Sequence, residues 1–243
     1  MIKRIGAACA AAVLFPAMAL AAEIGDDVGK AGAVTPSATA KLKTDKAPRD
    51  LARDVAVKFG ETLATTAKGN AGIIFEDQTR LFVAENSQIE IDDYVFGGES
   101  RLDLTIARGV LRLASGRIGG RNISVRTPVA YIGFRGTVIS LSTDANTTVL
   151  YVEDGAVDAV VGQQTITVNE GQSLTINRDD PGAVDGGWPG SLGTAVASMT
   201  AQLATVAPVS LAVPSEIAGK LNAAAVDSAA QSTPSDDSGF SYN

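Results

Sequence analysis

The sequence predicts an all-β fold, and three observations carry that prediction. From about Val55 to Ile176 the chain runs in short alternating stretches, with β-branched residues at every second position and Gly, Asn or Asp between stretches. Apolar pairs then recur at an interval of eight: Ile73 and Phe75, Leu81 and Val83, Ile89 and Ile91, and later Ile166 and Val168, Leu174 and Ile176. A single ladder, Val152, Val160, Val168 and Ile176, keeps the same step. A strand of about four or five residues plus a short turn fills such a unit, and an even interval is compatible with every apolar pair returning to one face. Third, "FEDQTRL", "VAENSQI", "VEDGAV" and "VNEGQSL" put Asp, Asn or Gly where the chain must reverse. Stacked short strands of this kind build either a β-solenoid or a β-sandwich-like domain, because in both each unit buries its apolar face only against its neighbours.

The elements follow in order. Residues 1–22 read as a secretory signal peptide: Lys3 and Arg4 precede an apolar stretch from Ile5 to Leu20 that closes on "ALAA", with cleavage expected near Ala21 or Ala22. The stretch is short for a membrane span, which needs about 20 apolar residues. Cys9 does not read as a lipidation site, since Gly6 stands three positions before it where a bulky aliphatic is wanted. Residues 23–48, polar and alanine-rich with Pro36 and Pro48, read as a loose leader holding one edge strand around Val28 to Val34. Residues 49–190 form the β domain. After "DDPGAVDGGWPG" the alternation stops, and 191–243 read as an extension with weak helices over 191–206 and 214–230 and a disordered end.

Composition narrows the chemistry. Without Lys3 and Arg4 the chain keeps 18 basic residues against 27 acidic ones, a formal charge of −9. An acidic surface repels phosphate backbones and anionic headgroups, so nucleic acid and direct lipid binding are not expected. There is no histidine, which removes the Ser-His and Cys-His nucleophile pairs, the imidazole base and the ordinary zinc site. Cys9 is the sole cysteine, so the exported chain has no thiol or disulfide chemistry. No cofactor and no metal are expected.

The most specific stretch is "RTPVAYIGFRGT", Arg126 to Thr137. Pro128 has no amide donor and suits a strand's first position or an edge, while it holds Thr127 extended. Alternation then sets Val129, Tyr131, Gly133 and Arg135 on one face and Ala130, Ile132 and Phe134 on the other. Gly136 permits a bulge or a close backbone approach where the chain redirects into Val138 to Leu141. Arg135 reads as a planar donor fork tying the strand end to carbonyls or a carboxylate. If buried and paired, its truncation costs about 3–5 kcal/mol. The functional alternative is an anion or carboxylate receptor made by Arg135 with Thr137.

The same stretch, extended to "RTPVAYIGFRGTVISL", resembles the signature of the FecR domain family: a Thr-Pro pair, a strand ending in Arg-Gly-Thr, a further strand, and an acidic-Gly turn such as "VEDGAV". The resemblance extends to Gly60 to Phe96 and to the closing "NEGQSLTI", Asn169 to Ile176. It implies a structural motif of Thr127, Pro128, Arg135, Gly136 and Thr137. It also implies a role in recognition, since the family's best-known members read the signalling domain of a siderophore transporter from the periplasm and control a sigma factor. Only Met1 to Arg4 stand ahead of the apolar segment here, so the expectation is a free-standing exported type. One detail departs from the family habit: Gln78 follows Asp77 where a glycine is usual, and it reaches left-handed φ less cheaply.

Other candidates read as structural. Glu90, Asp92 and Asp93 suggest a calcium site or paired catalytic carboxylates, but alternation sends Asp92 and Asp93 to opposite faces, and solvated charge fits better. Glu76 and Asp77, and Glu153 and Asp154, read as turn residues satisfying local amides. Tyr94, Phe96 and Tyr151 read as packing aromatics, with a carbohydrate-stacking surface the alternative. Trp188, the sole tryptophan, reads as a plug at one end of the β unit, or as a contact site where exposed. "GRIGG", Gly116 to Gly120, lacks the lysine and strand context of a phosphate loop. The expected function is therefore non-catalytic recognition or scaffolding in the periplasm or at the cell surface, toward an envelope protein or glycan. Unpaired sheet edges would be the means. An iron-linked envelope regulator is the alternative, and a carboxylate-dependent glycan-acting enzyme stands behind it.

Overall fold

A computed structural model describes residues 22–97, 100–118 and 122–206. The predicted signal segment up to Ala21, the second predicted helix at 214–230 and the predicted disordered end lie outside them. Two β-sheets stack face to face and share one long strand. Sheet I runs, edge to edge, through β4 (Ala56–Lys58), β1 (Asp27–Val34), β6 (Ala71–Phe75), β7 (Arg80–Val83), the second half of β9 (Arg101–Ala114), β12 (Val138–Thr143), β13 (Thr147–Asp154), β16 (Gln172–Asn177) and β17 (Val184–Gly186). Sheet II runs through β3 (Arg49–Asp50), β2 (Ala38–Leu42), β5 (Glu61–Thr65), β8 (Gln88–Val95), the first half of β9, β10 (Ile123–Arg126), β11 (Tyr131–Phe134), β14 (Ala156–Val161) and β15 (Gln164–Asn169). The recurring unit is thus a hairpin laid alternately in one sheet and the other, so the stack is sandwich-like. Pairing is antiparallel throughout these ladders except between β9 and β10.

The core lies between the sheets. Ile73, Phe75, Leu81 and Val83 enter it from sheet I, and Ile89 and Ile91 from sheet II, as the eight-residue interval requires. Strand β9 serves both sheets by changing phase: Leu102, Leu104 and Ile106 face inward in its first half, Leu111 and Leu113 in its second. The odd step between Ile106 and Leu111 is absorbed at Gly109, where φ is +107° and a Cβ would lie 2.1 Å from Ser87 Oγ. Ser87 Oγ accepts the Val110 amide there at 3.0 Å.

Three expectations change. The leader is not loose: β1 lies between β4 and β6 in sheet I, and β2 pairs with β5 in sheet II. Gly29 explains the close fit, since a Cβ there would meet the Ile74 carbonyl at 2.6 Å. The ladder Val152, Val160, Val168, Ile176 fails at Val160, which is 36% exposed. The chain crosses from β13 to β14 through Gly155 at φ +82°, the parity slips by one, and Val157 and Ala159 take the inward places. Pro128 does not begin a strand. It sits in the turn from Thr127 to Ala130, where Thr127 N–H donates to Ala130 O at 2.9 Å and Thr127 Oγ1 accepts the Ala130 amide at 2.9 Å.

Helix α1 (Gly190–Val206), as the helix-tolerant composition predicts, lies on the outer face of sheet I. Leu192, Val196, Met199 and Leu203 cover Ala33, Phe82, Ala84 and Tyr151, and Gln202 is bonded to Asn70 Nδ2 at 2.9 Å. No helix among the described residues is long and apolar enough to cross a membrane.

Candidate recognition surface

The motif strand is built around two turns that touch. Gly136 takes φ +71° with nothing within 4 Å of a would-be Cβ, so it serves the turn and not a close approach. The close approach belongs to Gly155 of "VEDGAV", whose Cβ would stand 2.2 Å from Gly136 O. Thr137 then enters the interior at 1% exposure, and its Oγ1 has no hydrogen-bond partner among the described residues. Thr127 is buried and accepts a bond from Thr148 Oγ1 at 2.9 Å. The inward residues Ala130, Ile132 and Phe134 join the core.

The outward residues of the motif share the open face of sheet II. Register places Glu90, Thr105, Arg126, Tyr131, Val160 and Thr165 in one cross-strand row. Tyr131 is 42% exposed, and the Arg126 guanidinium stands 5.9 Å from its ring centroid. The neighbouring row holds Asp103, Ser124, Gly133, Asp158 and Thr167. Arg135 projects here and donates to Asp158 Oδ2 from Nε at 2.9 Å and from Nη2 at 2.5 Å. It does find a carboxylate, but its side chain is 55% exposed, so the pair is a surface one. The Thr167 hydroxyl first, and Arg135 second, hold the Asp158 carboxyl below its ordinary range against desolvation.

Asp92 is a bulged residue between Ile91 and Asp93, and Ile91 and Tyr94 both face the core. The bulge therefore turns Asp92 and Asp93 outward together, where alternation alone sets them apart. Asp93 pairs with Arg101 and lies opposite Asp103, which accepts from Ser124 Oγ at 2.5 Å. Partial burial pushes the Asp92 carboxyl up, opposed by a hydrogen bond from Thr105. Among the described residues no group of acidic, cysteine or histidine side chains has the geometry of a metal site.

The remaining candidates lie elsewhere. Trp188 is half-buried and stacks on Tyr151 at 4.0 Å between ring centroids, on the outer face of sheet I beside α1. It covers that face and does not plug an end of the stack, so Arg135, Thr137 and Trp188 are not brought together. Tyr94 stacks on Phe75 inside the core, its hydroxyl accepts the Asp77 amide at 3.1 Å, and burial pushes its phenol far above the ordinary value. Phe96 stays at the surface beneath Arg117, at one side of a cleft of about 530 Å³ that Asp26, Asp27, Lys58, Glu76 and Tyr94 also line. Lys58 spans part of that cleft, donating to Gly25 O and Asp27 Oδ1. Asp77 is a turn residue as expected, accepting Thr79 N–H at 3.1 Å, and it also receives Ile118 N–H at 3.2 Å from the "GRIGG" stretch. Gln78 beside it does take positive φ, +72°.

Glu153 is a correction. It does not cap a turn: its carboxylate receives Arg112 Nε at 3.0 Å and Nη2 at 2.8 Å, together with Ser140 Oγ at 2.6 Å. Both ionic side chains are almost fully buried on the outer face of sheet I. Arg112 went unsuspected because "VLRLAS" reads as an ordinary strand with its polar residue toward water.

A stack of hairpins with an Arg-Gly-Thr turn locked against an acidic-Gly turn, and one broad sheet face that no described element covers, defines the architecture as a hairpin-stacked β scaffold. The comparison with known families makes this specific. Residues 61–158 match the family model described as FecR protein. The match begins at β5 and ends within β14, so β1 to β4, β15 to β17 and α1 lie outside it. Two solved structures, each of a candidate anti-sigma factor from Parabacteroides distasonis ATCC 8503, are similar at 10% and 11% identity with TM-scores of 0.47 and 0.44. The first comparison covers 57% of this chain and 64% of the other, the second 52% and 59%, so this chain spans less than two thirds of those chains. No curated protein matches.

Proposed function

We propose that this chain is an exported, non-catalytic recognition protein that binds a protein partner of the bacterial envelope through the open face of sheet II. One observation carries the reading. The outward side chains of the most family-specific stretch, Arg126, Tyr131 and Arg135, all lie on this face, while α1 covers the middle of the opposite outer face, over β1, β7, β9 and β12. An exposed aromatic ring under a guanidinium, with paired charges around it, is the composition of a protein-contact surface, where Tyr and Arg are enriched. The FecR match favours a partner that takes part in envelope signalling, with the periplasm or cell surface as the place of contact. A glycan-acting enzyme is less well supported: the outward carboxylates Asp93 and Asp158 are held by Arg101 and Arg135 on an open sheet and do not flank a cleft.

The test is affinity capture from the envelope fraction with the tagged full chain and with an Arg126→Ala/Tyr131→Ala variant. A protein captured reproducibly by the parent and lost with the variant supports the reading. Equal capture by both, or retention only on glycan, rejects it.

A further inference from the structure

We propose that the chain pairs with a second copy of itself through the free edge of β15, joining two copies of sheet II into one continuous sheet. The inference stands apart from the open-face reading, since β15 lies beyond the FecR-matched residues. Exposed strand edges are ordinarily blunted by shortness, by charge, by proline or by a bulge. Of the four sheet edges among the described residues, β3 has two residues and β4 and β17 have three each. Strand β15 has six, "QTITVN", with no charged residue and no proline, and its ladder with β14 runs from Ala156–Asn169 to Val161–Gln164 without a register shift. Among the described strands β15 forms a ladder with β14 alone, since β16, which follows it, pairs with β13 and β17 in sheet I.

The direction of its backbone groups follows from β14. Ala156 O accepts the Arg135 amide at 3.0 Å, so Ala156, Asp158 and Val160 turn their backbone groups toward β11, and Val157, Ala159 and Val161 turn theirs toward β15. The partners of those three are Val168, Ile166 and Gln164. The alternate residues Thr165 and Thr167 therefore point N–H and C=O out of the sheet. Asn169, next in that series, has its N–H taken by Gln172 Oε1 at 2.9 Å. Two residues with outward donors and acceptors, centred on Ile166, form a self-complementary set. About a two-fold axis perpendicular to the sheet, Thr165 meets Thr167 of the second copy and Thr167 meets its Thr165, which closes two hydrogen-bonded pairs.

In that register Ile166 faces Ile166 of the second copy across a non-hydrogen-bonded pair, on the core side, where it is now half-buried at the margin of the core. No like charges fall opposite one another, because the strand carries none, and Glu170 lies at opposite ends of the joined pair. That local neutrality is what an acidic chain needs in order to meet its own copy.

Sedimentation velocity of the purified full chain over a wide concentration range tests the proposal. A reversible monomer–dimer equilibrium is expected. The Thr165→Lys/Thr167→Lys variant sets lysines opposite lysines and should weaken the dimer at least about tenfold, whereas Thr165→Asp/Thr167→Lys sets opposite charges together and should recover it. Thermal melts report whether each variant folds. Independently of those variants, Ile166→Cys in a Cys9→Ser background should form a disulfide dimer on mild oxidation, since non-hydrogen-bonded antiparallel pairs have suitable Cα spacing, and Thr165→Cys should not. A chain that stays monomeric at every concentration overturns the proposal. So does a dimer insensitive to the lysine pair, or one that Thr165→Cys traps as readily as Ile166→Cys.

Discussion

Arg112 and Glu153 offer the sharpest test of how this stack is closed. They lie on the outer face of sheet I with side chains 3% and 4% exposed. In the register of that face Arg112 stands between Phe82 and Ser140, with Tyr151 beyond, and α1 and Trp188 lie over the same surface. Replacing Glu153 by Leu leaves a guanidinium out of water with no anion, and breaking a buried pair in this way costs about 3–5 kcal/mol. Against a total stability of about 5–15 kcal/mol for a domain, that is a large fraction. At a urea dependence of about 2 kcal/mol per molar, the unfolding midpoint should fall by about 2 M. The double variant Arg112→Met/Glu153→Leu removes both charges and keeps apolar volume, leaving the Ser140 hydroxyl as the residual loss, so it should lie within about 1–2 kcal/mol of the parent. Urea unfolding followed by tryptophan fluorescence suits the measurement, because Trp188 sits on the same face. A single Glu153→Leu cost below about 1 kcal/mol, the range of exposed pairs, would show that α1 does not seal the face and would refute the assignment.

The remaining predictions concern the motif. Gly155→Ala adds a Cβ 2.2 Å from Gly136 O at a positive φ and should cost about 2–5 kcal/mol in chemical denaturation, while the same change at open-sided Gly136 should cost about 1–2 kcal/mol for conformation alone. Thr137→Val removes a buried hydroxyl without a partner at nearly constant volume and should leave the melt unchanged or raise it slightly; a clear fall would mean the hydroxyl is bonded after all. Arg135→Ala should cost at most about 1 kcal/mol, because the pair with Asp158 is exposed. The Asp158 carboxyl is lowered in the fold, so what it contributes is present above about pH 4 and is lost as pH falls through the lowered value. Parent and variant melts should therefore converge in acid.

How much of this was legible depended on whether a residue's fate is decided within its own hairpin. Ile73, Phe75, Leu81 and Val83 could be placed because period-two alternation and an adjacent turn settle which face they take. Val160 could not, because a single glycine at the sheet crossing shifts the parity of everything after it. Strand β1 was read at Val28 to Val34, but its place inside the sheet was not: the glycines and alanines of "DVGKAGAV" give little pattern of their own, and the strand is held between β4 and β6. Asp92 was misplaced by a bulge that leaves no mark in composition. Arg112 and Glu153 lie furthest from local rules. Alternation does put both on the outer side of their strands, and that much is correct, but whether the outer side meets water is decided by α1, whose first covering residue, Leu192, comes much later in the chain. The same logic separates the motif into two groups with different duties. Gly136, Gly155 and Thr137 are fixed by the crossing between sheets and would be needed whatever the domain recognises. Arg126, Tyr131 and Arg135 are free of that constraint, since turn and core are satisfied without them, and it is on residues of this second kind that a difference in partner can be written without loss of fold.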